Sequence, residues 1–263
     1  MTDVVVVTGA GGMGVAVARR IGSGRAVILA DAFAEPLSQA TGALRAEGYA
    51  AEGIVTDIAD PVAVTALATA AAGAGRIAAV VHTAGVSAAT ATVQQILEVD
   101  LVGTAHVIDA FLPFVSPGTS VVCIASMAGH QARADNSALA TVPADELLSV
   151  AGVGDDPIAA YILAKRANQL RVQAAALAYN RRGARINTVS PGVVSTAMAR
   201  AEADSPSGEH MLAMLDACGI GRTATPAEIA EVVAFLTGPG SLYITGTDIL
   251  IDGGQAAWLR WHQ

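Results

Sequence analysis

The 263 residues are 53% hydrophobic and 14% charged with a mean hydropathy of +0.51, which excludes extended disorder and provides enough length for a substantial core. Fifteen Lys and Arg against 23 Asp and Glu give a net charge of −8 and a pI near 5.0. With no clustered basic run, nucleic acid and anionic membrane are poor partners. Cys123 and Cys218 cannot build a disulfide framework or a zinc site alone, and neither a signal segment nor a run of about 20 strongly apolar residues is visible. A cytoplasmic, non-membrane protein is expected.

Along the chain, short β-branched runs alternate with longer alanine-rich stretches. Runs at 4–8, 26–31, 53–56, 77–83, 120–125, 184–190 and 248–251 are apolar on both faces and predict buried strands. Helices are predicted at about 13–22, 34–47, 60–73, 91–112, 158–182 and 226–237. Asp60-Pro61 reads as a capping carboxylate before a proline at the first helical position, and Thr225-Pro226-Ala227-Glu228 adds a capping box. This alternation predicts one α/β domain over 1–263, a doubly wound parallel sheet of about seven strands with helices on both faces. Two regions interrupt it. Residues 127–157 hold His130, Arg133, Asp135, Asn136, Asp145, Glu146, Asp155 and Asp156, with a short helix beginning at Pro143. Residues 195–221 include the flexible-looking stretch 204–209. Both follow strands on the side where open sheets bind ligands, so both are expected to be functional loops.

Thr8-Gly9-Ala10-Gly11-Gly12-Met13-Gly14 follows a predicted strand and opens a predicted helix. Gly9, Gly11 and Gly14 satisfy G-x-G-x-x-G in the setting that phosphate binding requires, with backbone N–H groups at the helix start facing a pyrophosphate. Asp31 ends the second strand, 17 residues after Gly14. A carboxylate there accepts hydrogen bonds from ribose hydroxyls and repels a 2′-phosphate. No Arg or Lys lies in the glycine loop or directly after Asp31, so NAD is favoured over NADP. Asp57, after the third strand, either contacts adenine or caps the following turn.

Lys165 is the only lysine in the chain; the other 14 cations are arginine. It stands four residues after Tyr161, which places both side chains on one helical face. A free phenol, with pKa near 10, holds its proton too tightly to act as a base at neutral pH. A neighbouring ammonium stabilises phenolate and is expected to bring the group toward working pH, which a general acid/base needs. Ser126, at the end of a strand beside the same crevice, can hydrogen-bond a substrate carbonyl oxygen.

Over nearly its whole length the chain resembles the short-chain dehydrogenase/reductase family. The matching residues are Thr8–Gly14, Asp31, Asp57, His82-Thr83-Ala84-Gly85, Ser126, Tyr161 with Lys165, Asn187 with Pro191-Gly192, and Ile244-Thr245-Gly246 before Asp252-Gly253-Gly254. The resemblance implies a Rossmann-type NAD(P)-binding domain and a catalytic set of Ser126, Tyr161 and Lys165. It also implies cofactor contacts from Gly9, Gly11, Gly12, Met13, Gly14, Asp31, Asp57, Ile58, Thr83, Ala84, Gly85, Tyr161, Lys165, Pro191, Gly192, Val194 and Thr196. Lys165 would bind the nicotinamide ribose, and the backbone of Val194 would meet the carboxamide with help from Thr196.

Four positions depart from the family pattern. The glycine loop is one residue short. His82 and Thr83 replace two asparagines. Asp100 stands where the family has a catalytic asparagine, whose main-chain carbonyl holds a water of the proton relay. Ser126 and Tyr161 lie 35 residues apart, which makes 127–157 an insertion at the substrate entrance or at a subunit contact.

His82, His106 and His130 share no metal-ligand spacing, and His82 reads as packed at a strand end, so no metal is predicted. Trp258 and Trp261 are expected to pack on the domain or on a symmetry mate, Cys123 to be a buried hydrophobe, and Cys218 a loop thiol. The expected function is an NAD(H)-dependent oxidoreductase interconverting a secondary alcohol and a ketone. The substrate leans toward a bulky, weakly polar alcohol over a sugar or an acyl-carrier-protein ketone, and the assembly toward a homodimer or homotetramer. The alternative is a catalytically weak dinucleotide-binding sensor on the same fold.

Overall fold

The β-branched runs assemble into one parallel sheet in the order β3-β2-β1-β4-β5-β6-β7. These strands are β1 (Asp3–Thr8), β2 (Ala26–Asp31), β3 (Ala50–Val55), β4 (Arg76–His82), β5 (Ser120–Ile124), β6 (Arg185–Pro191) and β7 (Asp248–Ile251) in a computed structural model that describes residues 2–133, 136–204, 208–218 and 220–262. The predicted fold class therefore holds. The order reverses between β1 and β4, creating a crevice beyond the carboxyl ends of those strands.

The pleat sorts alternate valines of β1 to opposite faces. Val4 and Val6 pack with Val64, Leu67 and Phe111 beneath α3 (Pro61–Ala74), α5 (Thr104–Phe111) and α7 (Pro157–Asn180). Val5 and Val7 pack with Val17, Ile229 and Val233 beneath α1 (Gly12–Ile21) and α10 (Pro226–Thr237). α2 (Ala34–Ala46) completes this second layer through Leu37 and Leu44. Both predicted caps form: Asp60 accepts from Val62 N, and Thr225 with Glu228 makes a capping box. β3 differs from its prediction. It begins at Ala50, and most of its residues are exposed or half-buried because it is the edge strand beyond β2.

The helical stretch after β4 changes winding along its length. α4 (Val93–Ile96) passes into a π-helical segment, Leu97–Gly103, before α5, and that segment carries Asp100. Residues 195–221, expected as a loop, hold two helices, α8 (Ala197–Ala203) and α9 (Gly208–Ala217). Thr196 caps α8 by accepting from Ala199 N, and the run Ala-Met-Ala-Arg-Ala-Glu-Ala consists of strong helix formers. Of the stretch read as flexible, 205–207 lie outside the described residues. The C-terminal tail is also helical, α11 (Gln255–His262), with Trp258 half-buried and Trp261 exposed under the Arg260 guanidinium.

In 127–157, three 3₁₀ turns precede α6 (Leu147–Val150), the short helix expected after Pro143. Asp135 lies outside the described residues. Leu139, Leu147 and Ala151 bury against Ile96, Leu101, Ala160 and Ala164, a third small core that ties this segment to α7. Arg171 of α7, a residue 7% exposed, fastens it: its guanidinium donates to the carbonyls of Leu139 at 3.0 Å and Val142 at 2.7 Å. Replacing it with leucine would strand the buried Leu139 carbonyl and the half-buried one of Val142. Arg171→Leu is expected to cost about 2–3 kcal/mol in urea unfolding and to speed amide exchange across 136–151 selectively. Unchanged exchange there would refute the fastening role.

Candidate active site

Thr8, His82, Ile124 and Pro191 end four adjacent strands and frame the crevice. On one side the chain turns at Gly9, whose φ of +92° suits glycine and whose N–H donates to Ala30 O at 2.7 Å. A Cβ at Gly9 would lie 2.7 Å from the Ala84 nitrogen, and one at Gly14 would overlap the Gly9 carbonyl oxygen. The loop is therefore backbone packed on backbone. Gly11 caps α1 in an extended conformation, so the N–H groups of the first helical turn are left to the cavity side. The Thr83 hydroxyl donates to Thr8 O at 2.8 Å and stitches β4 to the loop.

Asp31 reaches across from β2. One carboxylate oxygen accepts from Ala10 N at 2.7 Å and the other from Phe33 N at 3.0 Å. Asp57 accepts from Ala59 N at 2.9 Å, the turn-capping alternative. Both residues still line a cavity of about 510 Å³, together with Gly9, Gly11, Gly12, Met13, Gly14, Ile58, Thr83, Ala84, Gly85 and Thr196. Cavity size, glycine cradle, helix N-terminus and strand-end carboxylate together fit a dinucleotide.

A second cavity of about 530 Å³ adjoins the first, sharing Met13, Thr196 and Met198 with it. Ser126, Tyr161, Pro191, Gly192 and Val194 line it, so the predicted residues fall into two groups around one junction. Lys165 lines neither cavity; it is buried one turn beyond Tyr161. The remaining wall is largely apolar, with Ile158, Met211, Met214 and Leu259, and its charged members among the described residues are Asp156 and Glu202. Glu202 of α8 accepts from the buried Ser87 hydroxyl at 2.5 Å, pinning that helix over the entrance.

α7 carries the phenol and the ammonium. Its start is fixed by Asp156, which accepts from Ile158 N, and by Pro157 in the first turn. Lys165 Nζ sits 5.2 Å from the Tyr161 ring centroid and 3.4 Å from Asp100 Oδ2. Ser126 and Tyr161 stand in the wall of the same cavity. One expectation needs correction. Burial pushes the Tyr161 phenol above its ordinary value, and the downward pull of Lys165 and of the Ser126 side chain does not overcome burial with the added charge of Asp100 and Glu202. Burial likewise raises the Asp100 carboxyl, with Lys165 opposing. Lys165 is raised because Asp100 and Tyr161 together outweigh its own burial.

His82 is buried at the end of β4, as expected. Its Nδ1 lies 2.7 Å from the Thr8 hydroxyl and its Nε2 lies 3.0 Å from that of Thr104. The Thr104 hydroxyl donates to the Asp100 carbonyl at 2.7 Å, so Nε2 is the protonated nitrogen and the ring is neutral. Burial, reinforced by Lys165, pushes its pKa down to about 3. Asn168 Nδ2 donates to the same Asp100 carbonyl at 2.9 Å.

Among the described residues no three His, Cys, Asp or Glu side chains converge as metal ligands. Cys218, expected in a loop, is buried, with Sγ 3.3 Å from Leu215 O. Sequence reasoning missed Ser87, Asn168, Met198 and Glu202. Their partners are distant in sequence, although Ser87 stands two residues after Gly85, Asn168 three after Lys165 and Met198 two after the capping Thr196.

A family model described as short chain dehydrogenase matches residues 3–141, and one described as Enoyl-(Acyl carrier protein) reductase matches 147–256. The chain is 36% identical to the short-chain dehydrogenase/reductase bsc3 of Alternaria brassicicola, over 97% of its own length and 96% of that protein. It is 32% identical to cis-4-hydroxycyclohexanecarboxylate dehydrogenase of Sinomonas cyclohexanicum, over 97% and 96%. A solved actinorhodin polyketide ketoreductase variant with NADPH superposes at a TM-score of 0.78 and 27% identity, over 97% of each chain.

The backbone packing of the glycine loop generates a sharp expectation. Gly14→Ala, whose new methyl overlaps the Gly9 carbonyl, should weaken NADH binding tenfold or more in a fluorescence titration while the protein stays folded by circular dichroism. Wild-type affinity in that variant would show that the loop does not hold the dinucleotide.

Proposed function

The chain belongs to the short-chain dehydrogenase/reductase family, and on that premise we propose that it is an NAD(H)-dependent oxidoreductase that interconverts a secondary alcohol and a ketone, with Tyr161 as general acid/base. The observation that carries this reading is the Tyr161 phenol in the wall of the cavity that adjoins the glycine-loop crevice, with Ser126 in the same wall and the buried Lys165 ammonium behind it. Bound along the glycine loop and the wall formed by Pro191, Gly192, Val194 and Thr196, the dinucleotide supplies a two-electron acceptor or donor for the carbinol carbon. The residues of the chain handle the proton. In oxidation the phenolate of Tyr161 takes the hydroxyl proton as the C–O bond becomes a carbonyl; in reduction the phenol returns it. Ser126 orients the substrate oxygen and steadies its negative charge, and Lys165, buried behind Tyr161, favours phenolate. Asp57, Ile58, Thr83, Ala84 and Gly85 complete the adenosine side.

The apolar lining supports a bulky, weakly polar alcohol, and the acidic pair Asp156 and Glu202 favours a neutral substrate over an anion. Chain 1–263 serves as one dinucleotide-binding domain on this reading, with 127–157 an insertion beside the entrance and 195–221 the substrate segment. Exposed Phe33, Leu242, Tyr243 and Trp261 support a homodimer or homotetramer. Two free, buried cysteines support a reducing cytoplasm. Among the described residues no helix is long and apolar enough to cross a membrane.

Tyr161→Phe should lower alcohol oxidation by about 10²- to 10⁴-fold while NADH binding is kept, measured by stopped-flow absorbance and fluorescence titration. A variant with the wild-type rate would sink the assignment. Cofactor choice is tested separately. Asp31→Ala removes the carboxylate facing the ribose, and the ratio of kcat/KM for NAD over NADP should fall by about tenfold. A native preference for NADP would overturn the role given to Asp31.

A further inference from the structure

Asp100 is 0% exposed, and its carboxylate has two neighbours of consequence. Oδ1 accepts from Val86 N at 2.9 Å. Oδ2 makes no hydrogen bond and faces Lys165 Nζ at 3.4 Å. Its main-chain carbonyl is committed elsewhere, accepting from both the Thr104 hydroxyl and the Asn168 amide, which fills its two lone-pair directions. The side chain, and not the backbone, is what the π-helical segment presents to the lysine.

We propose that Asp100 is a positioning residue whose carboxylate pairs with Lys165, holding the ammonium beside the Tyr161 ring and offsetting its charge, so that proton exchange at Tyr161 runs at higher pH than an unpaired lysine would set. The groups facing this pair come from α7 itself and from three other elements. Tyr161 lies one turn earlier on α7, neutral His82 lies on β4, Ser126 follows β5, and Glu202 approaches from α8. None is a second cation, so among these described residues Lys165 is the only positive charge and Asp100 the nearest negative one. An asparagine at 100 would keep the shape and the Val86 contact while removing the charge. Burial would then act on Lys165 with only Tyr161 opposing it and lower its affinity for a proton, while the remaining ammonium would stabilise phenolate more strongly. The directions seen for Lys165 and Tyr161, both pushed upward by Asp100, agree with this.

The chain offers a direct probe, since Lys165 is its only lysine. Protein labelled with ¹³Cε-lysine gives one side-chain signal, whose pH titration reads that ammonium without any turnover. In the wild type it should remain charged beyond the ordinary lysine value of 10.5. In Asp100→Asn it should titrate at least about one pH unit lower, and the acid limb of kcat/KM for alcohol oxidation should move to lower pH by about one unit. Asp100→Ser keeps an oxygen near Val86 and serves the same arms if the asparagine variant does not fold. A wild-type signal that titrates below pH 10, or one that stays put when Asp100 is neutralised, overturns the proposal. The kinetic arm rests on the role given to Tyr161. If the lysine titration moves as expected while oxidation is insensitive to Tyr161→Phe, the ion pair stands and the acid/base assignment falls.

Discussion

A lysine ammonium buried among helices and strand ends must be compensated, and the centre of this molecule is arranged around that requirement. Lys165 finds a carboxylate at 3.4 Å and an aromatic face at 5.2 Å, and its side chain is 7% exposed. Compensation fixes the geometry. The ammonium is held one helical turn from Tyr161, and the phenol is thereby held in the wall of the cavity that adjoins the glycine-loop crevice. The capped start of α7, the π-helical widening that turns Asp100 inward and the short core under 127–157 all serve to hold those three side chains in register. A buried pair of this kind contributes little net stability, because desolvation consumes most of the Coulomb gain. Its value is positional.

Much of this was legible in the sequence. Valines at successive positions of β1 divide between two helical layers, and the glycine loop, Asp31, Ser126, Tyr161 and Lys165 were singled out from residue type and spacing alone. Their signals are local: a strand, a turn and a helix lie within a dozen residues, or two side chains within one helical turn. Asp31 showed the limit of such reading, since its bond to Ala10 N ties the glycine loop to the end of β2 and no spacing announces it.

What was not legible was the balance of opposing terms. Placing an ammonium four residues from a phenol argues for an acidified phenol, and that influence exists. Yet burial of Tyr161 and the negative charge of Asp100 act against it, and both come from contacts that only the folded chain creates. The same holds for 195–221. Proline, serine and glycine near 206 suggested a loop, whereas flanking alanine, methionine and glutamate residues with a Thr196 cap supply helix propensity. Helix α8 then finds its place through the Ser87–Glu202 hydrogen bond, a contact across 115 positions.

Asp31 and Asp100 thus differ in setting in spite of their similar chemistry. Asp31 is partly exposed and satisfied by two backbone N–H groups, so it stays an acceptor at the edge of the glycine loop and couples loop shape to the charge that a ribose would meet. Asp100 is fully buried, with one oxygen satisfied by backbone and the other reserved for a cation, so its charge is tied to that of Lys165. On the proposed reading, moving either charge alters a different property, dinucleotide selection in one case and the pH of proton exchange in the other. Environment, and not residue type, separates those roles.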